Sequence, residues 1–215
     1  MLASVYLSTA YLAPIQYYSK FILADEVFIE SFENFTKQTY RTRCDILGAN
    51  GRLILSIPVE KAHGDKMPVK EVRIDYRTDW QRIHWQSLVS AYNSSPFFMY
   101  YADDLFPFYQ KKEPFLFDFN LKLIQKICEL VGIDANKISL TEKFEKEIEY
   151  DYRQSISPKF SQQREDTLFY AKPYYQIFAE KFGFTPNLSI VDLLFNEGTE
   201  AISVLKQSVR TSTQM

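Results

Sequence analysis

The sequence predicts an α/β fold: an N-terminal βαβ unit plus a β-hairpin forming a mixed sheet, flanked by helices, with a mainly helical C-terminal part. Three observations predict it. Two runs of strand formers, Ala3–Thr9 and Glu26–Glu30, bracket a helix-like segment within the first 30 residues. That spacing suits a right-handed crossover between parallel strands. Asn50-Gly51 sits between two runs that read as strands, which is a strong hairpin signal. From Trp80 onward the apolar residues recur at helical spacing.

Taken in order, Ala3–Thr9 is the first strand. Pro14 opens a helix over Ile15–Leu23, because proline is tolerated in a first helical turn. Ala24-Asp25 ends it, and Glu26–Glu30 is the second strand. Tyr40–Leu47 and Arg52–Val59 form the hairpin around Gly48-Ala49-Asn50-Gly51. Val69–Asp75 reads as a further strand, with Val72 and Ile74 alternating against Glu71 and Arg73. Thr78 or Asp79 can cap a helix from Trp80 to about Tyr92, whose Trp80, His84, Leu88 and Tyr92 share one face. Asn93–Pro96 breaks it, and Asp103 or Asp104 starts a short helix. Phe115–Val131 keeps helical period except at Asn120, and Gly132 stops it. Lys137–Leu140 is a short strand. Residues 142–163 are polar and charged, which reads as a loop, an insertion or a lid. Tyr174–Phe182 and Ser189–Asn196 are helical, and the tail after Gln207 frays.

The chain has 215 residues, 46% hydrophobic, with 18 Phe and 15 Tyr. We read it as one domain over 1–215, with an α/β core to 135, the polar segment 136–165 and a helical part over 166–207. That length can bury a core without disulfides. The net charge of −2 gives no global attraction for nucleic acid. Charge is uneven, however: residues 36–73 hold eight Lys or Arg against four acids. One basic face on an acidic protein suits an anionic small molecule better than a long polyanion. Cys44 and Cys128 form no metal-ligand pattern. Met1–Ala10 lacks the basic start of a secretory leader, and no run is long enough to span a membrane. The expected compartment is the cytoplasm. Gly-rich phosphate loops, zinc-binding helices and nucleophile elbows are absent, so zinc chemistry and nucleophile-based hydrolysis have no positive support, and the cofactor is left open.

The sharpest cluster is Lys37, Arg41 and Arg43. In a strand, Arg41 and Arg43 point to one face, and their donor forks match phosphate or carboxylate. Lys37 reaches the same ligand from the preceding turn. The alternative is that both arginines pair with acids such as Glu30 and Glu33. His84, beside Trp80 and Leu88, is either a partly buried structural residue or a proton-transfer group. His63 sits in a Gly-containing loop and reads as solvated. Asp192 lies in the apolar run Leu188–Phe195. Burial of its carboxylate demands capping or pairing, unless it contacts a polar site.

The runs Tyr11–Lys20, Ala24-Asp25, Phe35–Arg43, Leu55–Val59 and Trp80–His84 resemble the WbqC-like family. Tyr92, Ser95-Pro96 and the late run Phe184–Gly198 resemble it too. The form looks like the branch common in Bacteroidetes-type bacteria. Members often stand beside genes for surface-polysaccharide assembly, and no settled reaction is carried over. Many open with His-Gln-Pro, where this chain reads Ser8-Thr9-Ala10. The resemblance implies a transferase on an activated sugar or acyl donor, or a non-catalytic scaffold of an envelope pathway. In the first case Lys37, Arg41 and Arg43 hold the donor. Tyr17 and Lys20 line the same crevice at the strand ends, His84 moves a proton, and Asp192 is a further catalytic candidate.

Overall fold

The computed structural model describes residues 1–60, 66–159 and 165–210. Strand β1 (Leu2–Ser8), helix α1 (Ile15–Leu23) and strand β2 (Ala24–Glu30) form the expected βαβ unit. The strands pair in parallel from Leu2 opposite Ala24 to Ser8 opposite Glu30. Strand β5 (Ile138–Leu140) adds to the far side of β2, also parallel, so β2 is central. Val5, Leu7, Val27 and Ile29 are fully buried on one face. On the other face Tyr6 and Phe28 stack at 4.7 Å between centroids. Parallel strands covered in this way are apolar along much of their length.

The hairpin is β3 (Arg43–Gly48) and β4 (Gly51–Ser56), closed by the loop Ala49-Asn50 with Gly51 at φ 109. It forms a second sheet beside the parallel one. Cys44, Ile46 and Leu55 turn one hairpin face into the core.

Helix α2 (Trp80–Tyr92) buries Trp80, His84, Leu88 and Tyr92, the face that the fourfold spacing predicts. Asp79 precedes it, but neither Asp79 nor Thr78 caps it: the Asp79 side chain holds Arg82 at 2.5 Å instead. Helix α5 (Leu116–Val131) is followed by Gly132 at φ 83, whose N–H donates to the carbonyls of Cys128 and Glu129. A positive φ in this position is the ordinary glycine stop.

Four local expectations fail for identifiable reasons. Residues 69–75 are not a strand. Pro68 lacks an N–H and leads into a 3₁₀ turn over Val69–Glu71, after which only isolated bridges join Ile74 to Val59 and Arg73 to Phe115. The alternation nevertheless buries Val72 and Ile74. Helix α3 (Phe98–Leu105) starts at Phe98 rather than at Asp103 or Asp104. The Phe97 N–H bonds to Phe195, and Phe98 packs on Phe195 edge-on at 5.0 Å. Those contacts fix the start at least five residues earlier. A short helix α4 (Pro107–Gln110) follows. Helix α6 covers only Ala179–Phe182, because Tyr174 and Gln176 are drawn to Asp192 and leave the helical path. The tail stays ordered through Arg210: Ser208 is buried, and Arg210 bonds to Leu168.

Helices α7 (Ile190–Glu197) and α8 (Ala201–Gln207) pack against α1. The segment ahead of α7 stitches to the one ahead of α1. The Ile15 N–H bonds to Leu188, the Ile190 N–H to Ala13, and the Ser189 hydroxyl to the Leu12 carbonyl. Asn187, at φ 55, accepts from the Gln16 N–H at 2.9 Å. No helix of the described residues is long and apolar enough to cross a membrane.

Gly198 has φ 56 and ψ −125, and an added Cβ would lie 2.6 Å from the Phe97 ring. Backbone strain and overpacking together should make Gly198→Ala cost about 3 kcal/mol, or roughly 6–12 °C in melting temperature. Gly132→Ala meets no atom within 4 Å and should cost only about 1 kcal/mol from its positive φ. Thermal and urea denaturation of the two variants check the order.

Candidate functional site

Buried polar residues concentrate at the carboxyl ends of the parallel strands. Ser8 ends β1, Glu30 ends β2 and Thr141 follows β5; all three are buried. Ser31, Glu33, Thr39, Arg41 and Arg153 are buried with them. In open α/β sheets this edge is where ligands bind.

Two carboxylates organise the cluster. Glu30 sits at zero exposure and accepts from Arg153 Nη1 at 2.6 Å, the Thr141 hydroxyl at 2.9 Å and the Phe32 N–H at 2.8 Å. Glu33 accepts from Arg41 through Nε at 2.9 Å and Nη2 at 2.5 Å, the two-pronged geometry that arginine favours. Arg41 also donates to the hydroxyls of Ser8 and Thr39. The Ser8 hydroxyl lies 3.1 Å from Glu33 and donates to the Arg153 carbonyl at 2.8 Å. Asn120, the polar exception on α5, donates to the Arg41 carbonyl at 2.9 Å and holds the turn that carries Arg41.

Arg153 arrives from the polar segment after β5. Its described residues form no helix or named strand, yet they are docked. The Tyr6 N–H bonds to Tyr150, and the Tyr152 N–H to Tyr6, so residues 150–152 run beside the outer edge of β1. Arg153 also binds Asp151 and the Glu145 carbonyl. Between this strap and the strand ends is a cavity of about 10 Å³, lined by Ser8, Thr9, Ala10, Tyr17, Tyr40, Arg41, Tyr152, Arg153 and Ile156. It has room for about one water. Thr9 is fully buried there, and its hydroxyl has no hydrogen-bond partner.

The structure disperses part of the predicted set. Arg41 and Arg43 do not share a strand face: Arg41 lies in the turn before β3, and only Arg43 is in the strand. Arg41 takes the pairing with Glu33 that the sequence left open, while Glu30 pairs with Arg153. Arg43 is half-buried with Nε unpartnered, and Lys37 is exposed. Tyr17 lines the cavity and donates to the Ser8 carbonyl at 2.9 Å. Lys20 is fully buried, with Nζ 2.5 Å from Asp166 and 4.3 Å from the centre of the Tyr152 ring. Burial pushes its pKa down, and Asp166 opposes the shift. His63 lies outside the described residues.

His84 and Asp192 do not line this cavity. His84 Nδ1 is 2.9 Å from the Tyr11 hydroxyl, which in turn is 3.0 Å from that of Tyr109, and its ring is bonded to the Ser56 backbone. With Trp80 edge-on at 5.1 Å, burial pushes the His84 pKa down to about 4. Asp192 is buried and accepts from Tyr92 at 2.9 Å, Tyr174 at 2.5 Å and Gln176 at 3.0 Å. Burial raises its pKa, and these three donors resist the rise. Both groups are fully engaged inside the core.

Sequence reasoning missed Arg153, Thr9 and Glu33 as members of one site. Ser8-Thr9 could be found from their place directly after a parallel strand. Arg153 carries no local signal, since its partner Glu30 is 123 residues away in the chain. Among the described residues, no three His, Cys, Asp or Glu side chains are placed to hold a metal ion.

Compared with known proteins, a sequence model of the WbqC-like protein family matches residues 9–154. An uncharacterized protein of Mycobacterium tuberculosis, Rv1507c, is 26% identical over 216 residues, covering 88% of this chain and 91% of that protein. No solved structure matches.

Two outcomes follow from this geometry. Glu33→Gln leaves Arg41 buried without its counter-charge and should cost about 3–5 kcal/mol, whereas Glu33→Leu with Arg41→Met should recover most of it. Urea titration of the single and double variants measures the difference. His84 has its folded pKa lowered to about 4 from 6.5, so the unfolded chain binds a proton first. Its contribution is complete above pH 6.5 and is lost as pH falls towards 4, to a limit of about 3 kcal/mol. Stability against pH for wild type and His84→Gln should show the shallower acid limb in the variant.

Proposed function

The chain belongs to the WbqC-like protein family, and from that premise we propose a cytoplasmic transferase of surface-polysaccharide assembly that binds an anionic activated sugar or acyl donor at the carboxyl ends of β1, β2 and β5. One observation carries the reading: Arg41, Arg153 and the unpartnered Thr9 hydroxyl converge on one buried cavity at that edge. Arginine forks suit the phosphates of a nucleotide-sugar or of an acyl carrier. The polysaccharide setting follows from the family resemblance, not from the geometry.

In this reading the strap carrying Tyr152 and Arg153 lifts from β1 to admit the donor. The donor's anionic group then takes the Arg153 guanidinium donors that Glu30 holds in the closed state. A freed carboxylate accepts the proton of an acceptor hydroxyl as that oxygen attacks the donor carbon, and the leaving group departs with its negative charge against the arginines. Tyr17 lines the cavity, and Lys20, buried behind it, steadies the strap through the Tyr152 ring. Lys37 and Arg43 flank the Arg41 turn and attract the donor from solvent. His84 and Asp192 hold the core through their hydrogen bonds and take no part in the transfer.

A specific observation favours a second reading, a non-catalytic binding or scaffold protein. The closed cavity holds about one water, and both arginines are already paired with carboxylates. A ligand screen separates the two. Nucleotide-sugars or acyl donors at about 100 times Kd should raise the melting temperature by roughly 5–10 °C. Thr9→Val should leave the unliganded melting temperature unchanged or higher, since it removes an unpaired buried hydroxyl, and should weaken donor binding about tenfold. No stabilisation by any such donor, with stabilisation only by a protein partner, would replace the transferase with the scaffold.

A further inference from the structure

Several cations on this protein lie over aromatic rings, Arg153 over Phe144 at 4.6 Å and Lys70 over Phe32 at 4.9 Å among them, and two of them share a cleft. Arg41 and Arg153 are held by carboxylates, which consume their donors. Arg73 and Lys112 are held by aromatic faces. The Arg73 guanidinium carbon lies 5.0 Å from the centre of the Phe115 ring, and Lys112 Nζ lies 5.2 Å from that of Tyr76. An aromatic face positions a guanidinium without occupying its in-plane N–H donors, and it leaves the outward N–H groups of an ammonium free. Both rings are fixed in turn. The Tyr76 hydroxyl donates to the Glu113 carbonyl and accepts from the Glu113 N–H, and Phe115 is joined through its backbone to Arg73.

These two cations line one cleft of about 740 Å³, together with Glu60, Ile74, Asp75, Tyr76, Arg77 and Pro114. Such a volume fits a small ligand. The acids in the cleft do not neutralise it. Asp75 is taken by Arg77, which grips it through Nε and Nη2 and pushes its carboxyl down to about 2. Glu60 stands 3.9 Å from Arg73 Nε, too far for a hydrogen bond. Among the described residues no carboxylate lies within ion-pair distance of Lys112. We infer that this cleft is a binding site for an oxyanion-bearing ligand, the carboxylate of an acidic saccharide or the phosphate of a phosphate ester, lodged between Arg73 and Lys112.

The site is independent of the donor reading, because none of its residues lines the cavity beside Arg41. Glu60 competes with the ligand for Arg73 and therefore gives a test of opposite sign. Isothermal titration of the full chain with trigalacturonate, inorganic pyrophosphate and neutral maltotriose reads the site directly. One of the two anions should bind and maltotriose should not; the anion that binds assigns carboxylate or phosphate. Arg73→Gln with Lys112→Gln should weaken binding at least tenfold at unchanged melting temperature. Glu60→Gln should tighten it about fivefold, as removal of one competing charge near 4 Å implies. Both effects should shrink between 50 and 200 mM salt. Failure of both anions to bind, equal affinity in the double variant, or no tightening in Glu60→Gln overturns the site.

Discussion

The need to satisfy two carboxylates at the end of a parallel sheet decides how distant parts of this chain meet. Glu30 ends the central strand at zero exposure, and Glu33 follows three residues later, nearly buried. A buried carboxylate without partners would be too costly to keep charged. The partners come from four places: the exit of β1 supplies Ser8, the turn before β3 supplies Arg41, the exit of β5 supplies Thr141, and the strap beside β1 supplies Arg153. One electrostatic requirement thus fixes the hairpin's approach, the seat of β5 and the docking of a segment that has no regular structure. The same requirement gathers hydroxyls and guanidiniums at the edge where an α/β sheet offers its ligand site.

Much of the fold was legible because it is written locally. Helix α1 has the predicted bounds, α2 and α5 follow their apolar spacing, and Asn50-Gly51 places the hairpin turn. What failed had a non-local or backbone cause. Residues 69–75 alternate like a strand, but Pro68 turns the chain and no neighbouring strand runs alongside. The segment from Tyr174 lost its first turn to a carboxylate 18 residues away. The candidate site was legible only in part. The sequence pointed to Arg41 but placed it in a strand with Arg43, whereas it lies in the turn before β3. Arg153 lay in a stretch whose charges look like solvent-facing residues, and only the topology brings it to Glu30.

Titratable groups inside this protein divide by what holds them. His84, Asp192 and the Tyr11–Tyr109 pair are satisfied by tyrosines, glutamine and backbone, and they stitch α2, α7 and the early chain into one core. Networks completed in this way rigidify a core and leave no valence for a ligand. Other buried polar atoms lack a partner, the Tyr18 hydroxyl and Trp80 Nε1 among them, and the Thr9 hydroxyl differs in lining a cavity beside two cations. An unpaired buried polar atom is costly, and the adjoining space, with room for about one water, can supply its partner.

The closed strap sets a condition on any ligand of this cavity. Two backbone hydrogen bonds to Tyr6 and the Arg153–Glu30 pair hold the strap on β1. A ligand that enters only when the strap is up binds more weakly by the fraction of molecules that are open. A neutral ligand cannot offset this loss, because lifting Arg153 leaves Glu30 without its counter-charge. An anion that takes over the Arg153 donors in the open state offsets part of it, since it gives Arg153 a new counter-charge while Arg41 keeps Glu33. Under the proposed donor reading, selectivity for anions would arise from the same ion pairs that hold the sheet end together. Loss of the Arg153–Glu30 pair would therefore loosen the strap and weaken the anion preference together, which ties stability and recognition to a single contact.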